Sequence, residues 1–256
     1  MADNSETLKK VRLPADGVWH LSQTPRFAEV IVFIHYYGGN RNTSKRHIEW
    51  VNRLGFHAVS FTLSFNRALL PERIPWNSHL EIGYLHVRKE EIENTLNHIP
   101  LAKIPFAFSN PAGAMLLAVA ARGAHDVSAV VCDSGPFLNN FRLMVSTLLA
   151  SEKHFSWKQK LAINLGSYFV FGGNYTEVAR NALHSLRAHL PILSIRSWKD
   201  NLVPLASVEE YFALNPELNL QILTLTDSDH LEGLKVCPDE YMSKVGVFLQ
   251  AHAHPI

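Results

Sequence analysis

Val30-Ile31-Val32-Phe33-Ile34 is a run of five apolar, mostly β-branched residues. A strand of this kind has no face for water, so it belongs inside a sheet covered on both sides, as the strands of parallel sheets are. The pattern recurs along the chain. Residues 56–63, 104–108, 127–132, 192–195 and Leu220–Leu225 read as further strands. Helical stretches fall between them. Residues 44–54 place Ile48, Val51 and Leu54 near helical spacing, with Gly55 where a helix-ending glycine belongs. Tyr84–His98 turns Leu85, Ile92 and Leu96 inward, and 112–122 is small and apolar enough to be buried. The tail 238–249 turns Tyr241, Val245, Phe248 and Leu249 inward, while residues 70–78, with Pro71 and Pro75, read as loop. Strand and helix in alternation define an α/β chain with a mostly parallel sheet between helical layers.

The rhythm breaks once. Residues 136–190 read as three helices, over 141–152, 157–171 and 175–189, and predict a helical lid within a single domain spanning 1–256. The aromatic residues Phe155, Trp157, Tyr168, Phe169, Phe171 and Tyr175 either pack the lid helices together or line an apolar pocket. A chain of 256 residues with 47% hydrophobic content supports a large core. Its net charge of +1, with both signs scattered, predicts neither a nucleic-acid nor an anionic-membrane partner. No apolar segment approaches the roughly 18 residues of a membrane span, and the polar, acidic start lacks the pattern of a secretory signal. With Cys132 and Cys237 far apart, these features predict a cytoplasmic protein without a disulfide framework. The 14 histidines follow no metal-binding spacing, so no metal is expected.

The segment Phe108-Ser109-Asn110-Pro111-Ala112-Gly113 joins a strand to a helix, where a G-x-S-x-G turn carries a nucleophilic serine in α/β enzymes. Three registers fit. Pro111 at the apex leaves no nucleophile, and its ring, fixed near φ of about −65°, opposes the positive φ required there. Ser109 at the apex puts Pro111 in the first helical turn, where its missing N–H breaks no bond. That register makes Asn110 open the helix although the residue before a proline disfavours the α region. The third makes Asn110 an ordinary N-cap and asks nothing of Ser109.

Taken with three other segments, this one resembles the α/β-hydrolase superfamily over nearly the whole chain. Ile34-His35-Tyr36-Tyr37-Gly38-Gly39-Asn40 is similar to the family's H-G-x loop, with Tyr36 where glycine is usual. Ser197-Trp198-Lys199-Asp200-Asn201-Leu202-Val203-Pro204 is similar to its acid-bearing loop, and Asp227-Ser228-Asp229-His230 to its histidine loop. The resemblance implies a three-layer sandwich with a sheet of about eight strands and a lid.

It also implies roles. A serine hydroxyl is a weak nucleophile at neutral pH, so an imidazole must take its proton, and a carboxylate must orient that imidazole. The resemblance assigns these tasks to Ser109, His230 and Asp200, and the oxyanion donors to the backbone N–H groups of Tyr37 and Asn110. Asp133, after the next strand, is a second candidate acid, whereas Asp227 and Asp229 read as turn formers. His35 reads as a buried histidine bonding the loop backbone. Tyr36 and Phe137 are candidate pocket walls. The implied activity is hydrolysis of a carboxylic ester or thioester of a small-molecule acyl substrate through an acyl-serine. The alternative is a catalytically inactive relative that binds a small ligand or a protein in the remnant pocket.

Overall fold

The structure, a computed structural model, describes residues 8, 10–14, 16–36, 38–63, 84–123, 125–138, 157 and 175–256. Seven strands among them form one sheet: β1 (Val18–His20), β2 (Val30–Ile34), β3 (His57–Ser60), β4 (Lys103–Phe108), β5 (Val130–Asp133), β6 (Ile192–Ser197) and β7 (Leu220–Leu225). Their order is β1-β3-β2-β4-β5-β6-β7, and every neighbouring pair is parallel except β1 with β3. The helices are α1 (Lys45–Leu54), α2 (Tyr84–His98), α3 (Pro111–Ala121), α4 (Tyr175–Ser185), α5 (Leu205–Phe212), α6 (Gly233–Val236) and α7 (Pro238–Ala251).

The period of two along each strand divides the core into two layers. Val30, Val32 and Ile34 of β2 join Ala107 of β4 and Cys132 of β5 in a cluster with Ile92 and Leu96 of α2, Met115 and Val119 of α3, Leu183 of α4 and Tyr211 of α5. Ile31 and Phe33 join Phe106, Phe108 and Val131 in a second cluster with Val51 of α1 and Tyr241, Val245 and Leu249 of α7. Helices thus cover both faces, which is why β2 to β6 are buried residue after residue while edge strand β7 is partly exposed. Helix α3 lies between α2 and α4, and this explains its apolar surface all round: its first nine residues are buried. Gly55 ends α1 at φ 104, in the left-handed region, where its N–H bonds Asn52 O.

Strand β1 and helix α5 add to the elements expected from sequence. Strand β1 is three half-buried residues paired antiparallel at the edge, too short to show a pattern. Helix α5 does carry a signal in Val208, Tyr211 and Phe212 at helical spacing behind Pro204. Of the lid expected over 136–190, residues 139–156 and 158–174 lie outside the described residues, as does the loop expected over 70–78. The helix expected over 175–189 is α4, which ends at Ser185.

The topology determines where a site can form. From β2 the chain moves outward to β3, and from β4 it moves the other way through β5, β6 and β7. Successive connections therefore part between β2 and β4, with α1 and α3 on opposite faces. Ligands of open α/β sheets bind in the crevice beyond the carboxyl ends of strands at such a point. Ser109 is the first residue after β4.

Candidate active site

Ser109 is the apex of the turn. Its φ is 57, and Asn110 enters the helical region at φ −51, ψ −44, ahead of Pro111 in the first turn of α3. Asn110 thus takes the α region that a residue before proline disfavours, while Pro111 itself, at the start of the helix, breaks no helical hydrogen bond. A non-glycine residue in left-handed conformation costs about 1–3 kcal/mol and persists only where its surroundings impose it. Here they do. The Ser109 N–H donates to Asp133 O at 2.7 Å, and Ala112 N–H donates to Ser109 O at 3.0 Å. Gly135 allows a close approach here: a Cβ at that position would strike the Ser109 carbonyl oxygen. Gly135 thus leaves the Ser109 carbonyl the room that a side chain would take.

The structure brings Ser109, His230 and Asp200 into one hydrogen-bonded row, with 3.0 Å between Ser109 Oγ and His230 Nε2 and 2.7 Å between His230 Nδ1 and Asp200 Oδ2. The carboxylate can only accept, so Nδ1 carries a proton and Nε2 offers its lone pair to the serine hydroxyl. Ser109 is 7% exposed, and the Asp200 side chain is 1% exposed against 15% for His230, so the acid lies deepest.

Asp200 does two jobs with two oxygens. Oδ1 accepts the N–H groups of Leu202 at 3.0 Å and Val203 at 2.6 Å, folding the loop after β6, while Oδ2 faces the imidazole. The acid and histidine loops are tied together by Ser197 Oγ and Ser228 Oγ at 2.8 Å and by Trp198 N–H donating to Leu225 O at 2.8 Å. Asp229 Oδ1 accepts the His230 N–H at 2.7 Å, and Asp227 pairs with Lys199 at 3.0 Å. Asp229 thus braces its own turn, whereas Asp227 reaches across to the acid loop.

Asp133 is buried close by but does not touch the imidazole. Its Oδ2 accepts the Tyr241 hydroxyl at 2.6 Å and its Oδ1 the Ser134 hydroxyl at 3.1 Å. Burial pushes its carboxyl up to about 6, against the opposing pull of those bonds and of His230. Tyr241, in turn, faces His47 Nε2 at 3.2 Å. His47 lies against the rings of Phe106, Phe108 and Tyr241, and loss of hydration drives its imidazole down to about 3, so it is neutral. Because the single Tyr241 proton goes to Asp133, Nε2 of His47 is the donor to the Tyr241 oxygen. No sequence spacing announces this chain, which joins α1, α7 and β5.

His35 holds the loop after β2: Leu63 N–H donates to its Nε2 at 2.9 Å, so Nδ1–H donates to Tyr36 O at 2.7 Å. Burial lowers its pKa and keeps that tautomer neutral. Tyr36 is 36% exposed, whereas Phe137 is buried in the first core cluster. Tyr37 lies outside the described residues. An open groove of ≈ 490 Å³ is lined by Asn201, Leu202, Asp229, His230 and Glu232. All but Glu232 belong to the acid and histidine segments singled out in the sequence; Glu232 arrives through the loop geometry.

No protein-family model matches the sequence, and no curated protein does. Solved structures do match. An esterase of Pyrococcus furiosus superposes over 93% of this chain and 86% of its own at a TM-score of 0.61 and 18% identity. A structure reported with carboxylesterases of Nitrososphaera gargenis gives 92% and 93% coverage, 0.59 and 16%. Dienelactone hydrolase of Anabaena variabilis gives 95% and 96% coverage, 0.59 and 16%. The chain has the α/β-hydrolase fold. Among the described residues, no helix is long and apolar enough to cross a membrane.

Proposed function

We propose that this protein is a serine hydrolase that cleaves carboxylic esters or thioesters through an acyl-Ser109 intermediate. The observation that carries the reading is the row Ser109–His230–Asp200, built on a strained turn that a merely structural serine does not need. Ser109 Oγ attacks the substrate carbonyl carbon as its proton passes to His230 Nε2, and Asp200 holds the imidazole and stabilises its charged form. The negative charge on the carbonyl oxygen meets the backbone N–H groups of Asn110 and Tyr37, the first of which also heads α3, at the positive end of its dipole. Collapse expels the alcohol or thiol, which takes the proton from His230. Water, activated by the same imidazole, then attacks the acyl-serine carbonyl, releases the acid and restores Ser109. The fold relatives named esterases and hydrolases are consistent with this chemistry, and no metal or cofactor enters it.

A fluorophosphonate probe tests the reading. It is expected to label the wild-type protein at Ser109, with turnover of short p-nitrophenyl esters, and both are expected to vanish in Ser109→Ala. Folded wild-type protein that neither labels nor turns over these esters refutes it.

A further inference from the structure

The end of β5 and Ser134 after it bond Ser109, strand β6 ahead of Asp200, and the residue that follows His230. Asp133 O accepts the N–H of Ser109, Ser134 N–H donates to Ile195 O in the strand leading to Asp200, and Ser134 Oγ accepts the N–H of Leu231, next to His230, at 3.2 Å. Ser134 and Leu231 both stand in the left-handed region, at φ 55 and φ 59, so two neighbouring turns are held in conformations their residues resist. The hydroxyl of Ser134 has one proton. Asp133 Oδ1, an acceptor, takes it and thereby turns an oxygen lone pair toward Leu231. The other Asp133 oxygen is occupied by Tyr241, anchored in α7. Asp133 is 3% exposed and Ser134 2%, so water does not compete for these bonds.

We propose that Asp133 and Ser134 are positioning residues: the carboxylate orients the Ser134 hydroxyl, and that hydroxyl holds the backbone beside His230 so that the imidazole stays within reach of Ser109. This inference rests on the hydrolase reading above and assigns Asp133 a task different from that of Asp200. The imidazole already has its carboxylate, and both Asp133 oxygens point to hydroxyl groups. Removing the Ser134 hydroxyl therefore loosens the histidine without altering its charge partner.

The experiment compares Ser134→Ala, Ser134→Gly and Asp133→Asn in the full chain, with p-nitrophenyl ester kinetics and fluorophosphonate labelling rates. Ser134→Ala is expected to lower kcat about 10- to 100-fold with KM changed less than about threefold, because the interaction lost positions the reacting groups and not the substrate. Ser134→Gly relaxes the positive φ and is expected to melt above Ser134→Ala while losing kcat equally, an opposition that a merely structural role does not produce. Asp133→Asn keeps one acceptor oxygen for two hydroxyl donors and is expected to lose kcat no more than Ser134→Ala does, and the double variant to be no worse than Ser134→Ala alone. Wild-type-like kcat in both Ser134 variants overturns the proposal, as does a loss in Asp133→Asn as deep as that of Asp200→Asn. If wild-type protein neither labels nor turns over ester, the hydrolase reading fails by itself. Positioning is then read from the downfield NMR resonance of the His230 Nδ1 proton. That signal is expected in the wild type and broadened in Ser134→Ala; an unchanged signal in the variant overturns the proposal.

Discussion

The two ends of the central strands use buried polar groups in opposite ways. At the end where β2 and β4 begin, Lys103 is fully buried and bonds Asp126 at 2.5 Å, which also accepts Arg122 at 2.6 Å. Glu29, equally buried, accepts Ser128 Oγ at 3.0 Å and both the backbone and the ring N–H of His254, at 2.8 and 2.6 Å, and so fastens the C-terminal residues to the sheet. Opposite charges meet there and hold segments together. At the other end, three of the four non-glycine residues with positive φ among the described residues, Ser109, Ser134 and Leu231, surround one imidazole, and the buried carboxylates mostly accept from neutral groups. One end is arranged for stability. The other keeps strained turns that stability alone does not favour, which is the signature of a site where geometry is held at a cost.

The contrast breaks most sharply at the row itself. Ser109→Ala is expected to lower ester turnover by more than about 10⁴-fold, and Asp200→Asn by about 10⁴-fold through the wrong imidazole tautomer, with unchanged unfolding midpoints for the serine variant. Steady-state kinetics and thermal melts check both. At the opposite end, Asp126→Ala leaves Lys103 and Arg122 without their shared carboxylate. It is expected to cost about 3 kcal/mol in urea unfolding with kcat unaltered. A fall in kcat at intact folding there erases the distinction between the ends.

His47 sharpens it through pH. Its pKa, near 6.5 in the unfolded chain, falls to about 3 on folding, so the unfolded state binds the extra proton. Its contribution is fully present above pH of about 6.5 and is lost progressively as pH falls toward about 3. Over pH 6.5 to 5 a fully enclosed ring loses ~2 kcal/mol, which partial exposure of this residue trims to about 1 kcal/mol. Urea melts at pH 7 and pH 5 are expected to show a wild-type loss larger by that amount than the loss in His47→Gln. The smallest effect is the most pointed. Ser109→Gly, which abolishes turnover, is expected to raise stability by about 1 kcal/mol by releasing the left-handed turn, as a urea midpoint measures. A glycine variant less stable than wild type argues against strain at that residue.

Much of this was written in local sequence. Strands β2 to β7 and helices α2, α3 and α7 follow from runs and spacings whose physical meaning is local: apolar residues at a period of two or near 3.6 have one way to leave water. Ser109, Asp200 and His230 were legible because each follows a strand, in the order of a familiar pattern. Steric reasoning on Pro111 correctly left the corner to a residue with free φ, and Ser109 takes it. Phe137 shows the limit: sequence offers it as a candidate pocket wall, the structure places it in the first core cluster, and only packing decides where an aromatic ring faces.

What sequence alone determined is the layered architecture and the identities of the groups that line up after β4, β6 and β7, because chain order and periodicity fix which residues reach the carboxyl edge of the sheet. What only the tertiary structure decided is the support beneath them. Gly135 leaves the Ser109 carbonyl its room, Ser134 fastens the histidine loop, and a hydrogen-bonded chain joins Asp133, Tyr241 and His47 across 194 positions between its last two members. Contacts between distant segments leave no period in the chain. They depend on close packing and on hydrogen-bond direction, which exist only once the layers have closed.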